Sequence, residues 1–325
     1  VSNLSVNTIT DASGGSTASI NGLTPQASNM QPHNLIINGN MAIWQRGVSQ
    51  TSTGYGCVDR FRNTVSGTVT FAQETTGLPS GFAYALKWTT GAGTSYGQVR
   101  QFIETENVKS LRSKTLTASA YVKVSSNYSG VISWEIGYST GGDGSGASYT
   151  VLAKTNAITA SSSDASADYK RISCNVTIPA DAVGLYIGIV PSAVQATGVY
   201  CSITGVQLEA GPTASPFAHE FVGDTLRKCQ RYYEIIGRDS GSNGYANIFS
   251  TPLDTFANFW TRVSYLVEKR SSPALGFYSG VSWNSTVPTA NLAGVNAVLF
   301  NATSWFFLEG GSGGNAPMAY VDAEL

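Results

Sequence analysis

The chain has 325 residues, with 19 Lys and Arg against 20 Asp and Glu, a formal net charge of −1, and charged residues at 12% of positions, against roughly 25% in an ordinary soluble domain. Its 42% of hydrophobic residues are enough for sizeable cores in about two domains, which excludes intrinsic disorder and a small disulfide-stapled scaffold. Near-neutrality without a basic run removes the phosphate attraction that nucleic-acid binding needs, and no apolar run reaches the roughly 18 residues of a membrane span.

Residues 1–33 carry one charge, Asp11, and are rich in Ser, Thr, Asn and Gly. Such a segment cannot build a core of its own. The polar residues after Val1 also lack the layout of a secretion signal, so the chain is expected to be soluble. The thin apolar series Leu4, Val6, Ile9, Ile20 and Leu23 suits an extended arm that orders by adding to the surface of another protein.

From 34 to 217 short stretches of period-two alternation recur between clusters of Gly, Ser, Asn and Pro. Strands are expected at Leu35–Ile37, Thr68–Gln73, Gln98–Ile103, Leu116–Val124, Val131–Tyr138, Arg171–Ile178, Leu185–Val190 and Val199–Leu208, with a surface loop from Ser139 to Ser148. Strands so spaced, with no helix between them, predict an all-β fold whose body is a jelly-roll sandwich.

Residues 218–238 change the period. Val222, Leu226, Cys229, Tyr233 and Ile236 form one apolar stripe if 222–237 is a helix, with Asp224 as N-cap and Gly237 as the stop. A helix this short must pack on something, either its own sandwich or a second copy around a symmetry axis. Residues 239–325 return to strand-like segments at Tyr245–Phe249, Phe259–Val267, Leu275–Tyr278, Val295–Phe300, Trp305–Leu308 and Ala319–Leu325, predicting a second, smaller β domain.

The chain offers little for catalysis. Cys57, Cys174, Cys201 and Cys229 lack metal-knuckle or redox spacing and read as buried reduced thiols, although Cys174 and Cys201 fall in expected strands that could neighbour one another. His33 and His219 do not make a triad or a metal site, and no nucleophile elbow, phosphate loop or zinc-binding helix is present. No metal, cofactor or catalytic residue is therefore expected. Glu104, Glu106 and Glu135 are the acids nearest to a glycosidase pair, and Asp143 alone falls short of a calcium site. Rings supply binding without charge, so Trp88, Trp134, Trp260, Trp283 and Trp305 are candidates for stacking on sugars, against the alternative that each belongs to a core.

Three stretches carry a resemblance. Asn34-Leu-Ile-Ile-Asn38-Gly39-Asn-Met-Ala-Ile-Trp44-Gln45-Arg46-Gly47 with Asp59-Arg60-Phe61, then Gly205-Val-Gln-Leu-Glu-Ala-Gly-Pro-Thr-Ala-Ser-Pro-Phe217 with Cys229-Gln-Arg-Tyr-Tyr233, and finally Tyr320-Val-Asp-Ala-Glu-Leu325 resemble bacteriophage virion-fibre proteins with a carbohydrate-binding-like jelly roll. The resemblance implies a non-enzymatic virion component, assembled in the host cytoplasm and trimeric, with 1–33 anchoring it to other virion proteins, 34–217 as the jelly roll, 218–238 as a helical linker and 239–325 as the tip. Tail-fibre attachment with weak multivalent contact to host glycan is the leading expectation. A head fibre or capsid decoration without receptor role, and a tailspike-like depolymerase, are the alternatives. Within these stretches Asn38-Gly39 is expected to make a hairpin turn and Trp44 to fill the sandwich. Gln45 and Arg46 should bond to backbone, and Arg60 should pair with Asp59 or Glu209.

Overall fold

The computed structural model describes residues 34–93, 95–159, 168–236, 259–277, 282–283, 289–302, 308–309 and 319–324. Strands β1 (Ser49–Gln50), β2 (Arg62–Ser66), β3 (Val69–Glu74), β4 (Ala85–Thr90) and β5 (Tyr96–Ile103) precede a single-turn helix, α1 (Thr105–Lys109). Then come β6 (Thr115–Val124), β7 (Val131–Ser139), β8 (Thr150–Thr159), β9 (Lys170–Thr177), β10 (Gly184–Pro191) and β11 (Tyr200–Ala210). Two antiparallel sheets result, one ordered β1-β3-β4-β11-β6-β9 and the other β2-β5-β10-β7-β8. Their crossovers between non-consecutive strands, with no intervening helix layer, define a jelly-roll sandwich.

Alternation places the core between the sheets. Phe71, Leu86, Trp88, Val122 and Ile203 of the six-stranded sheet face Val99, Trp134, Ile136, Ile187 and Ile189 of the five-stranded one, all buried in one cluster. The thiols follow the same logic. Cys174 sits opposite Ala118 and Cys201 opposite Val124, so β6 separates the two cysteines, and all four cysteines are free and buried. Burial pushes the Cys57 thiol up to about 11, which keeps it protonated and unreactive.

Two local expectations are corrected. Leu35–Ile37 forms no strand but leads into a turn. The turn is held by Asn34, whose Oδ1 accepts from the N–H groups of Ile36 at 2.9 Å and Leu208 at 3.1 Å. Asn38 takes the left-handed conformation at φ 62°, whereas Gly39 is needed for contact: a Cβ there would lie 2.0 Å from the Val206 carbonyl oxygen. This is a close approach of two backbones, not a hairpin.

The second correction concerns the linker. Helix α2 covers Val222–Gln230 and ends there, and Tyr233–Ile236 is a strand, β12. Its N-cap is Phe221 without a side-chain cap, and Asp224 lies inside the first turn. Strand β12 (Tyr233–Ile236) pairs with the terminal segment Ala319–Asp322, Tyr233 opposite Asp322 and Ile236 opposite Ala319. Cross-strand pairing of an aromatic and β-branched tetrapeptide thus overrides the helical spacing. The five stripe residues are dispersed accordingly. Val222 is exposed, Leu226 half-buried and Cys229 buried on α2, and Tyr233 and Ile236 are buried on β12.

Beyond β12 the described strands are β13 (Phe259–Ser264), β14 (Ala274–Phe277), β15 (Ser282–Trp283), β16 (Thr289–Ala293), β17 (Ala297–Ala302), β18 (Leu308–Glu309) and β19 (Ala319–Asp322). They form sheets ordered β12-β19-β14, β13-β17-β16 and β15-β18. The expected strand at Tyr245–Phe249 lies outside the described residues, as do the arm candidates Leu4, Val6, Ile9, Ile20 and Leu23.

The three resembling stretches meet where this region joins the sandwich. Arg60, fully buried, pairs with Glu324 and donates to the Phe102 carbonyl at 2.9 Å. Its expected partners, Asp59 and Glu209, are engaged elsewhere: Asp59 accepts from Gln45, and Glu209 accepts from Gln207 and Ser215. Arg46 bonds to Asp322 at 3.1 Å, Glu324 at 3.2 Å and the Tyr55 carbonyl at 3.2 Å. The Arg60 and Arg46 guanidiniums lie 3.4 and 3.8 Å from the ring centroids of Tyr232 and Tyr233. Gln45 donates to the Tyr233 carbonyl at 3.0 Å. A polar, nearly dry seam of this kind is tolerable because almost every charge in it has a partner.

Candidate binding face on the five-stranded sheet

In β5, β7 and β10 the residues alternate with those of the core, so Arg100 and Phe102, Ser133, Glu135 and Gly137, and Tyr186 and Gly188 occupy the outer face. The register sets them in rows. Gly188 stands opposite both Arg100 and Glu135, and Tyr186 opposite both Phe102 and Gly137. Arg62 of β2 stands opposite Arg100.

The two glycines give the face its shape. A Cβ at 188 would come within 2.8 Å of Arg100 Cγ, and one at 137 within 2.3 Å of the Tyr186 ring. The Arg100 stem and the Tyr186 ring therefore lie flat across the sheet. Arg100 Nη2 reaches Glu135 Oε1 at 2.6 Å, and the Tyr186 hydroxyl donates to the same oxygen at 2.7 Å. Burial, and then this bond, raise the Tyr186 hydroxyl above its ordinary range, so it remains a donor at every physiological pH.

One end of the face is walled. Tyr149 packs edge-on against Tyr186 at 5.0 Å, and Phe102, Tyr186 and Tyr232 form a buried aromatic cluster. The Gly-rich surface loop that leads into Tyr149 is pinned. Asp143 accepts from the Thr105 N–H at 2.8 Å and hydroxyl at 3.0 Å, and from Arg270 at 2.7 Å. Away from the wall the outer residues Tyr96, Gln98, Arg100, Arg62 and Thr64 are half-buried. The Ser133 hydroxyl, fully buried on the same face, and Arg100 Nε have no hydrogen-bond partner.

A second hollow, of about 400 Å³, lies between the 34–40 turn and the start of α2, lined by Ile36, Asn40, Phe217, His219, Phe221 and Lys228 among others. Phe221 and Val222 stand beside it, 85% and 58% exposed.

The tryptophans expected to stack on sugar do not line either place. Trp88 and Trp134 are 2% and 0% exposed inside the sandwich, because their strand positions face inward, and neither offers a ring to a ligand. The side chains of Trp260 and Trp283, and all of Trp305, lie outside the described residues. Glu104 is bound by Arg231 at 3.0 Å, Glu106 by Lys109 at 2.6 Å, and Glu135 by Arg100. Among the described residues no three His, Cys, Asp or Glu side chains gather as a metal site, and no helix is long and apolar enough to cross a membrane. Arg62, Arg100, Ser133 and Tyr186 were not singled out from sequence. The available signal was the alternation of polar residues through Gln98-Val-Arg100, which only the register joins to Arg62.

No protein family and no curated protein matches the chain. Solved structures resemble its sandwich. A sugar-binding protein from Bacteroides thetaiotaomicron, described as putative, shares 14% identity over 55% of this chain and 100% of its own, with a TM-score of 0.36. A CBM4 structure shares 15% over 54% of this chain and 98% of its own, at 0.33. The enzymatically active domain of bacteriophage CBA120 tailspike protein 4 shares 11% over 55% of this chain, at 0.36, and the match spans 21% of the tailspike chain. By its own topology the chain is an all-β protein with a jelly-roll sandwich at its centre.

Proposed function

We propose that the chain is a non-enzymatic fibre protein of a bacteriophage particle whose sandwich holds host-surface glycan on the outer face of the five-stranded sheet. The observation that carries this reading is the convergence of all three fibre-like stretches on one seam, through Arg46, Arg60, Tyr233, Asp322 and Glu324. A resemblance that falls on mutually bonded residues far apart in sequence supports common architecture more than scattered matches would. Residues 1–33 dock on a neighbouring virion protein, and the chain is a homotrimer. The exposed pair Phe221 and Val222, with Leu226, supplies the contact between copies. Weak sites suffice when several copies act together.

Solution mass and an array of bacterial saccharides test the reading on the full chain. A trimer that binds saccharide without shortening it is expected. A clean monomer with no virion partner, or release of oligosaccharide from host polysaccharide, would overturn it. Phe221→Asp and Leu226→Asp should each dissociate the oligomer while the β signal in circular dichroism persists.

A further inference from the structure

We infer that the sheet face selects acidic saccharides, those carrying a carboxylate substituent, and that Arg62 holds that group. This rests on the glycan-binding reading of the same face and names its ligand class.

Arg62 and Arg100 stand directly opposite one another on adjacent strands, in the β2–β5 register. The Arg100 stem crosses Gly188 toward Glu135, so its charge is turned away from Arg62. Arg100 has Glu135, which it shares with Tyr186. Arg62 bonds to the Thr64 hydroxyl at 3.3 Å, and none of the ion pairs among the described residues includes it. In a chain with 19 basic residues and a net charge of −1, Arg62 is thus a cation of the open face that no carboxylate among the described residues neutralises.

Neutral polar groups lie on the same face. Gln98 and Thr64 face each other one row along and offer neutral donors and acceptors of the kind that sugar hydroxyls use. A guanidinium presents a planar fork that matches a carboxylate with two parallel bonds. A neutral hexose would leave the Arg62 fork short of an anion.

Affinity gels and the saccharide array provide the test, with the full chain run in gels containing alginate, a polyuronate, or dextran, which is neutral. Alginate should retard the protein and dextran should not, and the retardation should fall between about 50 and 300 mM NaCl as screening grows. Arg62→Gln, at a half-exposed strand position, should weaken alginate binding about tenfold with circular dichroism unchanged. Equal binding of dextran and alginate, or alginate binding indifferent to Arg62→Gln, would overturn the acidic selectivity while leaving a glycan-binding protein. Failure to bind any saccharide, acidic or neutral, would remove the glycan reading together with it.

Discussion

Replacing Glu324 by glutamine tests whether the seam holds the sandwich to the terminal sheet. The carboxylate serves Arg60, whose side chain is 1% exposed, and Arg46, at 6%. Burial alone would depress the Arg60 charge, but Glu324 outweighs it and keeps the guanidinium protonated. Removing the carboxylate leaves Arg60 with the Phe102 carbonyl and the Tyr232 ring, while Arg46 keeps Asp322. Breaking one partner out of a buried pair costs about 3–5 kcal/mol, and the retained amide oxygen argues for about 3. That is a large share of a typical stability of roughly 5–15 kcal/mol and corresponds to about 6–12 °C in Tm for a domain of this size. Urea unfolding followed by tryptophan fluorescence measures it, since Trp134 sits at the sandwich centre with 0% exposure. The pair Arg60→Met with Glu324→Gln should recover most of the loss, because it removes both charges and keeps the stem against Tyr232. A Glu324→Gln loss below about 1 kcal/mol, or a double variant at the sum of its parts, would refute the idea that charge pairing governs the seam.

Gly39→Ala should destabilise by about 3 kcal/mol or more by urea midpoint, since its Cβ meets the Val206 carbonyl at 2.0 Å and backbone cannot step aside as a side chain can. Trp88→Ala should cost about 3–5 kcal/mol by the same measurement while leaving saccharide affinity unchanged once folding is corrected for, because its ring is 2% exposed. Burial raises the Asp59 carboxyl from 3.8 to about 6, against the lowering effect of Gln45. Between about pH 4 and 6 the folded state therefore keeps a proton that the unfolded chain gives up. Stability from this group falls as pH rises through the window, by up to about 3 kcal/mol. Urea midpoints at pH 4.5 and 6.5 should show that decline, and Asp59→Asn should flatten it.

Much of the sandwich was legible because its strands alternate. Leu116–Val124, Val131–Tyr138 and Leu185–Val190 each fall within one or two residues of a strand, since one face of each must enter the core. Strand β2, Arg-Asn-Thr-Val-Ser, was missed: it is an edge strand that buries little, so its polar residues carry no period. The 222–237 helix was over-extended for the opposite reason. Tyr233 and Ile236 do follow helical spacing, but their partners lie more than eighty residues away on β19 (Ala319–Asp322), and no local pattern encodes a pairing at that distance.

The same distinction separates the resembling residues from the candidate binding face. Arg60 is buried, Gln45, Arg46 and Glu324 are half-buried, and all four are bonded to each other or to backbone, so any change leaves a charge or an amide without its partner. Arg62, Gln98 and Thr64 lie half-buried on an open sheet, where a substitution disturbs folding little. The chain thus carries a fixed seam and a more tolerant open face side by side. Arg62 is where the two meet: it lies two residues after Arg60 in the chain, one side chain locked against Glu324 and the next cation turned to the open face. If Arg62→Gln costs less than about 0.5 kcal/mol of stability while Arg60→Gln unfolds the protein at ordinary temperature, the boundary between architecture and recognition runs between those two arginines.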